Sequence, residues 1–501
     1  MIQGTGSSVG KSLIVAGLCR IFKQDGYRVA PFKSQNMALN SYITTEGKEM
    51  GRAQAVQAEA AGIRPQVLMN PILLKPTSDQ NAQVIIKGEV YQKMSAVGYH
   101  QFKPELFEMI KDCYQTLAEE YELIVLEGAG SPAEINLREH DLVNMGMAEL
   151  IDAPVILVGD IDKGGVFASL VGTMMLLSES ERKRVKGVII NKFRGDLELL
   201  KPGLDFLEDL LRIPVIGVLP YEKIELEEED ALAERFDKSQ VALKGEVEIV
   251  VVKLPYMANF TDFDPLEHLP GVNLRYVERS GELGEPDLLI LPGSKNTLAD
   301  LFWLKEHGFE AQIKQLNAQK TIIIGICGGY QMLGEQISDP IQLESELLEL
   351  DGFGLLKMKT VLATRKVTTQ VQTVLTDCEG IMHGLTGLEL TGYEIHHGVT
   401  EYSEAVVPFL QYQQVSDKIS VQVAGVCDLA GKVFGTYLHG LFENTEFTLG
   451  LINQLRKLKG LGAIEGEALS YQAFKQSQYN KLAALLRKNL KLEEIYKIIN
   501  E

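Results

Sequence analysis

The sequence predicts an α/β protein built from two parallel-sheet domains in series. Three observations predict it. Short apolar runs, rich in Val and Ile and near-continuous, recur along the chain between spacers of helical pattern, as in a parallel sheet covered on both faces. A glycine-rich loop closing on Gly10-Lys11-Ser12 heads the first series. A small-residue turn around Cys327, set between an apolar run and a helix start, lies inside the second. A chain of 501 residues has room for two to four domains, each with its own core.

Composition narrows the class. With 45% hydrophobic and 23% charged residues the chain reads as an ordinary globular protein. No apolar run is long enough to span a bilayer and no secretory signal is evident, so no membrane partner is expected. The five cysteines contain no CxxC pair, which argues against a disulfide framework or a zinc ribbon and fits a reducing cytoplasm. A formal net charge of -19 argues against a nucleic-acid surface. It also requires that an anionic substrate be held by local Lys, Arg or backbone N–H groups. The oligomeric state is left open.

The first series opens with Gly4-Thr5-Gly6-Ser7-Ser8-Val9-Gly10-Lys11-Ser12, a P-loop one residue longer than GxxxxGK[ST] when counted from Gly4. Its N–H groups, with Gly6 and Gly10 giving the backbone its freedom, would cradle phosphates. Lys11 would reach the β/γ-phosphates and Ser12 would ligate Mg²⁺. Only Met1, Ile2 and Gln3 precede the loop, so the entering strand is expected to be nearly absent and the start of the chain trimmed. The strand at 28–32 runs into Lys33, Gln35 and Asn36, and a later stretch brings Lys75; polar groups beyond strand ends are where open sheets bind ligands. The apolar run 123–126 ends in Glu127, a natural Mg²⁺ ligand or its supporter in a P-loop protein. Three more strand-like runs follow at 154–158, 185–190 and 213–218. Asn191, at the end of the second, is placed to read a nucleobase edge. The acidic stretch at 222–237 reads as a solvated boundary.

The second series restarts at 247–252. The run 288–291 leads into Pro292-Gly293-Ser294-Lys295-Asn296-Thr297, and the run 321–324 into Gly325-Ile326-Cys327-Gly328-Gly329. A strand, a sharp turn and a helix make a nucleophile elbow, with Cys327 at its tip. Glycines on both sides are what a turn needs and a buried core cysteine does not. The N–H groups of Gly293 and Gly328 are candidates for an oxyanion hole. His439, closing the run 433–438, is the candidate base, and His396 is a second histidine of open role. The tail has apolar residues spaced for one helical face and is expected to pack on this second domain.

A Cys/His pair alone fits a protease or a thioester hydrolase equally well; the nucleotide loop on the same chain separates them. Amide nitrogen is unreactive, and ammonia does not displace oxide from a carboxylate. One site releasing ammonia from glutamine, and one phosphorylating a carboxylate, together describe an amidoligase.

Over nearly its whole length the chain resembles the cobyric acid synthase family of cobalamin biosynthesis. The stretches that carry the resemblance are 4–12, 31–37, 127–137, 160–169, 191–196, 291–297, 325–334, 392–396 and 436–440. The resemblance implies a dethiobiotin-synthetase-like P-loop domain joined to a class I glutamine-amidotransferase-like α/β domain. The expected boundaries are 1–225 for the ATP-binding synthetase domain, 226–246 for an acidic linker, 247–445 for the glutamine amidotransferase domain and 446–501 for a C-terminal helical extension. The implied reaction is ATP- and glutamine-dependent amidation of the b, d, e and g carboxylates of adenosylcobyrinic acid a,c-diamide, a corrinoid, to give adenosylcobyric acid, with Cys327 as nucleophile and His439 as base. Class I glutaminases commonly carry a Glu two residues after that His. Here the position is Leu441, so either a dyad or a third member from elsewhere must serve. Three alternatives share parts of the pattern: a cobyrinic acid a,c-diamide synthase, an amidoligase acting on another acid, and a regulatory P-loop protein with an inactive glutaminase. The intact Cys327/His439 pair argues against the last.

Overall fold

The computed structural model describes residues 1–78, 81–227, 246–403, 406–413, 423–464 and 470–500. The chain forms two compact units, one of Met1–Ala38, Glu49–Asp230 and Ala473–Glu501, the other of Leu39–Lys48 and Ala231–Gln472. The acidic linker expected at 226–246 lies, apart from Leu226, Glu227 and Glu246, outside the described residues.

In the first unit the apolar runs pair in parallel in the order Ile2–Gly4, Val155–Asp160, Val185–Phe193, Val215–Pro220. A second parallel pair, Val29–Phe32 with Leu123–Leu126, adjoins it through one bridge between Ile2 and Glu127. The entering strand is thus short but present, and Thr5 N donates to Val158 O at 2.9 Å as the loop begins. The helix Lys11–Gln24 buries Ile14, Val15, Leu18, Ile21 and Phe22 in one core with Val29, Val125, Ile156, Val158 and Ile189. A separate four-stranded sheet, Gln35–Met37, Ile72–Ser78, Asn81–Ile86 and Glu89–Ser95, is parallel only at its first pair.

Two expectations for this unit need correction. Glu227, read as part of a solvated acidic run, is buried and takes Arg52 bidentately, with Arg52 Nη2 2.9 Å from Glu227 Oε1. Burial of a carboxylate requires such a partner, which local sequence does not announce. The tail also divides. Thr445–Leu458 packs Phe447, Leu451, Ile452 and Leu455 into the second unit's core. The helices Tyr471–Asn489 and Leu492–Asn500 instead add Tyr479, Leu482, Leu486, Leu490 and Ile495 to the core of the P-loop helix. Helical period tells that a face is buried, not against what. Gly17 makes the fit: a Cβ there would stand 2.3 Å from Leu486 Cδ1. Lys475 pairs with Glu59 at 2.9 Å, and Tyr479 Oη donates to the same carboxylate at 2.9 Å.

In the second unit the strands Val272–Val277, Val247–Val252, Leu288–Leu291, Ile322–Ile326 and Val433–Thr436 pair in parallel in that order. From there the same sheet turns antiparallel through Val423–Cys427, Val407–Tyr412 and Met358–Leu375. A long ribbon of Met358–Leu375 with Glu389–Tyr402 extends it. The parallel expectation therefore holds for these five strands, three of which lead into Gly293, Cys327 and His439, and not for the three strands that follow in the sheet.

Candidate functional site

Cys327 closes the strand Ile322–Ile326 and sits at φ 51° and ψ −107°, a conformation that costs a non-glycine residue about 1–3 kcal/mol. The surrounding backbone enforces it. Cys327 N donates to Thr436 O at 2.9 Å and Gly329 N to Pro292 O at 2.9 Å. A Cβ at Gly329 would lie 2.0 Å from Leu291 O, and one at Gly328 would lie 2.8 Å from Ser294 N. The turn can be this tight only with glycine at both places. The thiol donates to Ile395 O at 3.5 Å.

Gly293 lies beside both reactive side chains. A Cβ on it would stand 3.3 Å from His439 Cε1 and 3.8 Å from Cys327 Cβ. Its loop is held by Ala258 N donating to Gly293 O, by Lys295 N donating to Tyr256 O, both at 2.9 Å, and by Ser294 Oγ donating to Asp300 Oδ2 at 2.5 Å. Burial pushes the Asp300 carboxyl up to about 7. Cys327, His439, Gly293 and Gly328 are thus brought to one place.

His439 is fully buried. Its Nδ1 is 2.7 Å from Asp262 Oδ2, and Gly440 N donates to Asp262 Oδ1 at 3.1 Å. Tyr393 stacks on the ring at 5.2 Å between centroids, and the two backbones exchange hydrogen bonds of 2.8 and 3.2 Å. Burial alone would lower the imidazole's pKa, but the charge and hydrogen bond of Asp262, and then Cys327, outweigh it and hold the pKa up at about 10. Nε2 makes no hydrogen bond among the described residues, and Cys327 is the second group that raises the imidazole's pKa. Asp262 is the residue that sequence reasoning missed. It belongs to the turn Phe260–Phe263, far along the chain from Leu441 although Gly440 N donates to it. Its one local signal is an acid set between Phe260 and Phe263, two aromatic residues that flank it within one short turn. His396 is not brought into the set: it stacks on Tyr437 at 3.7 Å, and its Nδ1 is 2.9 Å from Gly398 O.

In the first unit Lys11 Nζ donates to Gly6 O at 2.8 Å and to Gly130 O at 3.2 Å, which holds the ammonium over the loop. Gly10 has φ 95°, and a Cβ there would strike Asn191 Nδ2 at 2.2 Å. Asn191 Nδ2 donates to Val9 O at 2.8 Å, so its amide nitrogen braces the loop from beneath. Glu127 is the hub. Its Oε1 accepts from Ser12 Oγ at 2.8 Å and Lys33 Nζ at 2.9 Å; its Oε2 accepts from Gln57 Nε2 at 2.5 Å. Burial favours the neutral acid, yet the Lys33 ammonium and these hydrogen bonds hold the carboxyl below its ordinary range. Asn36 joins through Gln54, at 3.0 Å. Gln35 does not: its Oε1 accepts from Tyr99 Oη at 2.6 Å. Lys75 is spent in a buried pair with Glu49 at 2.6 Å. Gln54 and Gln57 went unread in the sequence, although two buried polar residues three apart in the Ala-rich helix Arg52–Ala61 are the signal.

The donors here fit Mg²⁺. Two adjacent ligands of an octahedral ion with bonds of about 2.1 Å stand about 3 Å apart, close to the 2.8 Å between Ser12 Oγ and Glu127 Oε1. Among the described residues no three His, Cys, Asp or Glu converge as a metal cage. Such an ion would complete its shell with phosphate and water, as Mg²⁺ does at nucleotide sites.

Residues 1–232 match the family described as the CobQ/CobB/MinD/ParA nucleotide binding domain, and residues 248–447 that described as the CobB/CobQ-like glutamine amidotransferase domain. Three proteins named cobyric acid synthase, from Thermoanaerobacter sp. (strain X514), Alkaliphilus metalliredigens and Yersinia enterocolitica, are each 53% identical to the chain over 501, 502 and 505 residues. The alignments cover 100% of this chain and 98%, 99% and 98% of those relatives. Among the described residues no helix is long and apolar enough to cross a membrane.

Proposed function

Because the chain belongs to the cobyric acid synthase family, whose members are glutamine-dependent amidoligases, we propose that it amidates the b, d, e and g carboxylates of adenosylcobyrinic acid a,c-diamide to give adenosylcobyric acid, using ATP, Mg²⁺ and glutamine. The observation that carries the reading is the buried line of Asp262, His439 and Cys327 beside Gly293, in a chain that also holds a P-loop lysine.

In the glutaminase unit Cys327 Sγ attacks the side-chain carbonyl of glutamine, and its proton passes to His439 Nε2. The N–H groups of Gly293 and Gly328 take the charge of the tetrahedral oxygen. The imidazolium, held by Asp262, gives its proton to the departing nitrogen, which leaves as ammonia. Water then hydrolyses the thioester with His439 as base. In the nucleotide unit, ATP with Mg²⁺ supplies the phosphoryl group that turns a carboxylate oxygen into a leaving group. Gly6 and Gly10 would let the loop wrap the phosphates, Lys11 would neutralise them and Ser12 and Glu127 would hold Mg²⁺, while Asn191 braces the loop. Lys33, paired with Glu127, serves the acceptor side with Asn36 beyond it, while Gln35 stays with Tyr99.

The test is mass spectrometry of adenosylcobyrinic acid a,c-diamide incubated with the protein, glutamine, ATP and Mg²⁺. A stepwise series ending at four new amides is the expected result. An unchanged corrinoid, alongside glutamine hydrolysis that ATP stimulates, would point to a different acid.

A further inference from the structure

The ten residues Leu39–Lys48 follow the strand Gln35–Met37 directly and precede the helix that carries Gln54 and Gln57, yet they belong to the glutaminase unit. Within that unit they touch what holds the catalytic line. Asn40, 1% exposed, accepts from Phe260 N through Oδ1 at 3.1 Å, and Ser41 N donates to Asn259 Oδ1 at 3.1 Å. Asn259, left-handed at φ 53°, opens the turn that presents Asp262, and its Nδ2 is 3.4 Å from His439 Nδ1. Ser41 O accepts from Tyr393 Oη at 3.4 Å, and Tyr393 is the ring stacked on His439. Ile43 packs with Tyr393 and Ile395, and the Ile395 carbonyl is the one that takes the Cys327 thiol. Each member of the line is thus one contact away from a support that the segment makes.

We propose that Leu39–Lys48 is a positioning strap for the glutaminase, and that glutamine hydrolysis depends through it on the state of the segments it continues on either side. This rests on the amidation reading above. The physical content is simple. The Asp262 turn has two backbone anchors on the strap, and the imidazole has its stacking partner tied to it. A strap drawn out of register loosens both, and an imidazole displaced by about 1 Å costs about a hundredfold in rate. The strap's two ends run into Gln35–Met37 on one side and the Glu127-holding helix on the other. Occupation of that region therefore reaches the glutaminase through ten residues of continuous chain, as a shift in the population of the aligned state. Asn40, Ser41 and Tyr393 are positioning residues; none touches glutamine in this account.

The experiment uses the full chain as wild type, Asn40→Ala, Asn40→Asp and Tyr393→Phe. Glutamine hydrolysis is followed with and without ATP, Mg²⁺ and adenosylcobyrinic acid a,c-diamide, and amidation is driven separately by ammonium. In wild type, ATP and the corrinoid together should stimulate hydrolysis. Asn40→Ala should lower kcat for glutamine by about ten- to a hundredfold and lose the stimulation. Its KM for glutamine and its ammonium-driven amidation should stay within about twofold. Asn40→Asp, which keeps the acceptor oxygen for Phe260 N, should restore most of the rate. Tyr393→Phe, which removes only the hydroxyl bonded to Ser41, should move in the same direction. Stimulated hydrolysis at the wild-type rate in both Asn40→Ala and Tyr393→Phe overturns the proposal, and so does an equal fall in the ammonium-driven route. Wild-type protein that hydrolyses no glutamine at all overturns the amidation reading instead, and the strap with it.

Discussion

His439 owes its charge to one carboxylate. A pKa raised to about 10 means that the stabilisation from the imidazolium–Asp262 contact is fully present below the ordinary histidine value of about 6.5 and is lost as pH rises through about 10. Asp262→Asn keeps the shape and removes the charge. The imidazole must be neutral to take the Cys327 proton, so hydrolysis rises with pH through its pKa; in Asp262→Asn that rise should move from near pH 10 toward neutrality, and kcat should fall by about 10³- to 10⁴-fold; a pH–rate profile of both proteins checks it. An unmoved rise would show that Asp262 does not set the imidazole's charge. Cys327 and His439 were legible because each stands in its own local pattern, a glycine-framed turn and the end of an apolar strand. Asp262 was not, because a carboxylate arriving from a turn 177 residues earlier in the chain leaves no mark beside the histidine it serves.

At the scale of elements, the elbow depends on two missing methyl groups, and the tighter case is Gly329. A Cβ at Gly329 would meet the Leu291 carbonyl oxygen at 2.0 Å, and backbone does not yield as a side chain does. Gly329→Ala should therefore abolish glutamine hydrolysis and destabilise the glutaminase unit by about 1–3 kcal/mol, read by thermal unfolding. Ammonium-driven amidation should persist in whatever fraction stays folded. The tail helix supports the other unit in a comparable way. Leu486 is fully buried over Gly17, so Leu486→Ala should cost about 2–5 kcal/mol and lower the melting temperature most in the absence of nucleotide. The amphipathic spacing of Leu482, Leu485 and Leu486 made this helix legible but not its host. Gly17, an unforced glycine inside a helix, was the clue to a close neighbour.

The whole molecule carries two chemistries that substitution should separate. Cys327→Ser should end glutamine-driven amidation and leave the ammonium-driven route, because only ammonia release needs the thiol. Lys11→Ala should stop both, since on the proposed mechanism carboxylate activation precedes either source of nitrogen. Amidation assays with the two nitrogen donors decide it; full activity of the lysine variant would refute the role given to the P-loop. At this scale the sequence spoke through strand rhythm. Four of the five parallel strands of the second unit, and the runs at 154–158, 185–190 and 213–218 in the first, lie where near-continuous apolar residues placed them; Val272–Val277, broken by Asn273 and Arg275, and the short Ile2–Gly4 were not read. The antiparallel ribbon of Met358–Leu375 with Glu389–Tyr402 did not announce itself, because its mixed polar and apolar positions carry no single period.

The first unit begins with the first residue and is finished only by segments beyond Ala473. A ribosome adding about 5–20 residues per second leaves the P-loop helix waiting for tens of seconds before Leu482 and Leu486 emerge to cover it. The glutaminase unit has all its residues by Gln472 and can close first. A premature stop near the end of the message would therefore do more than shorten a tail. On the proposed mechanism it would release a protein whose ammonia source is complete and whose consumer of ammonia is not.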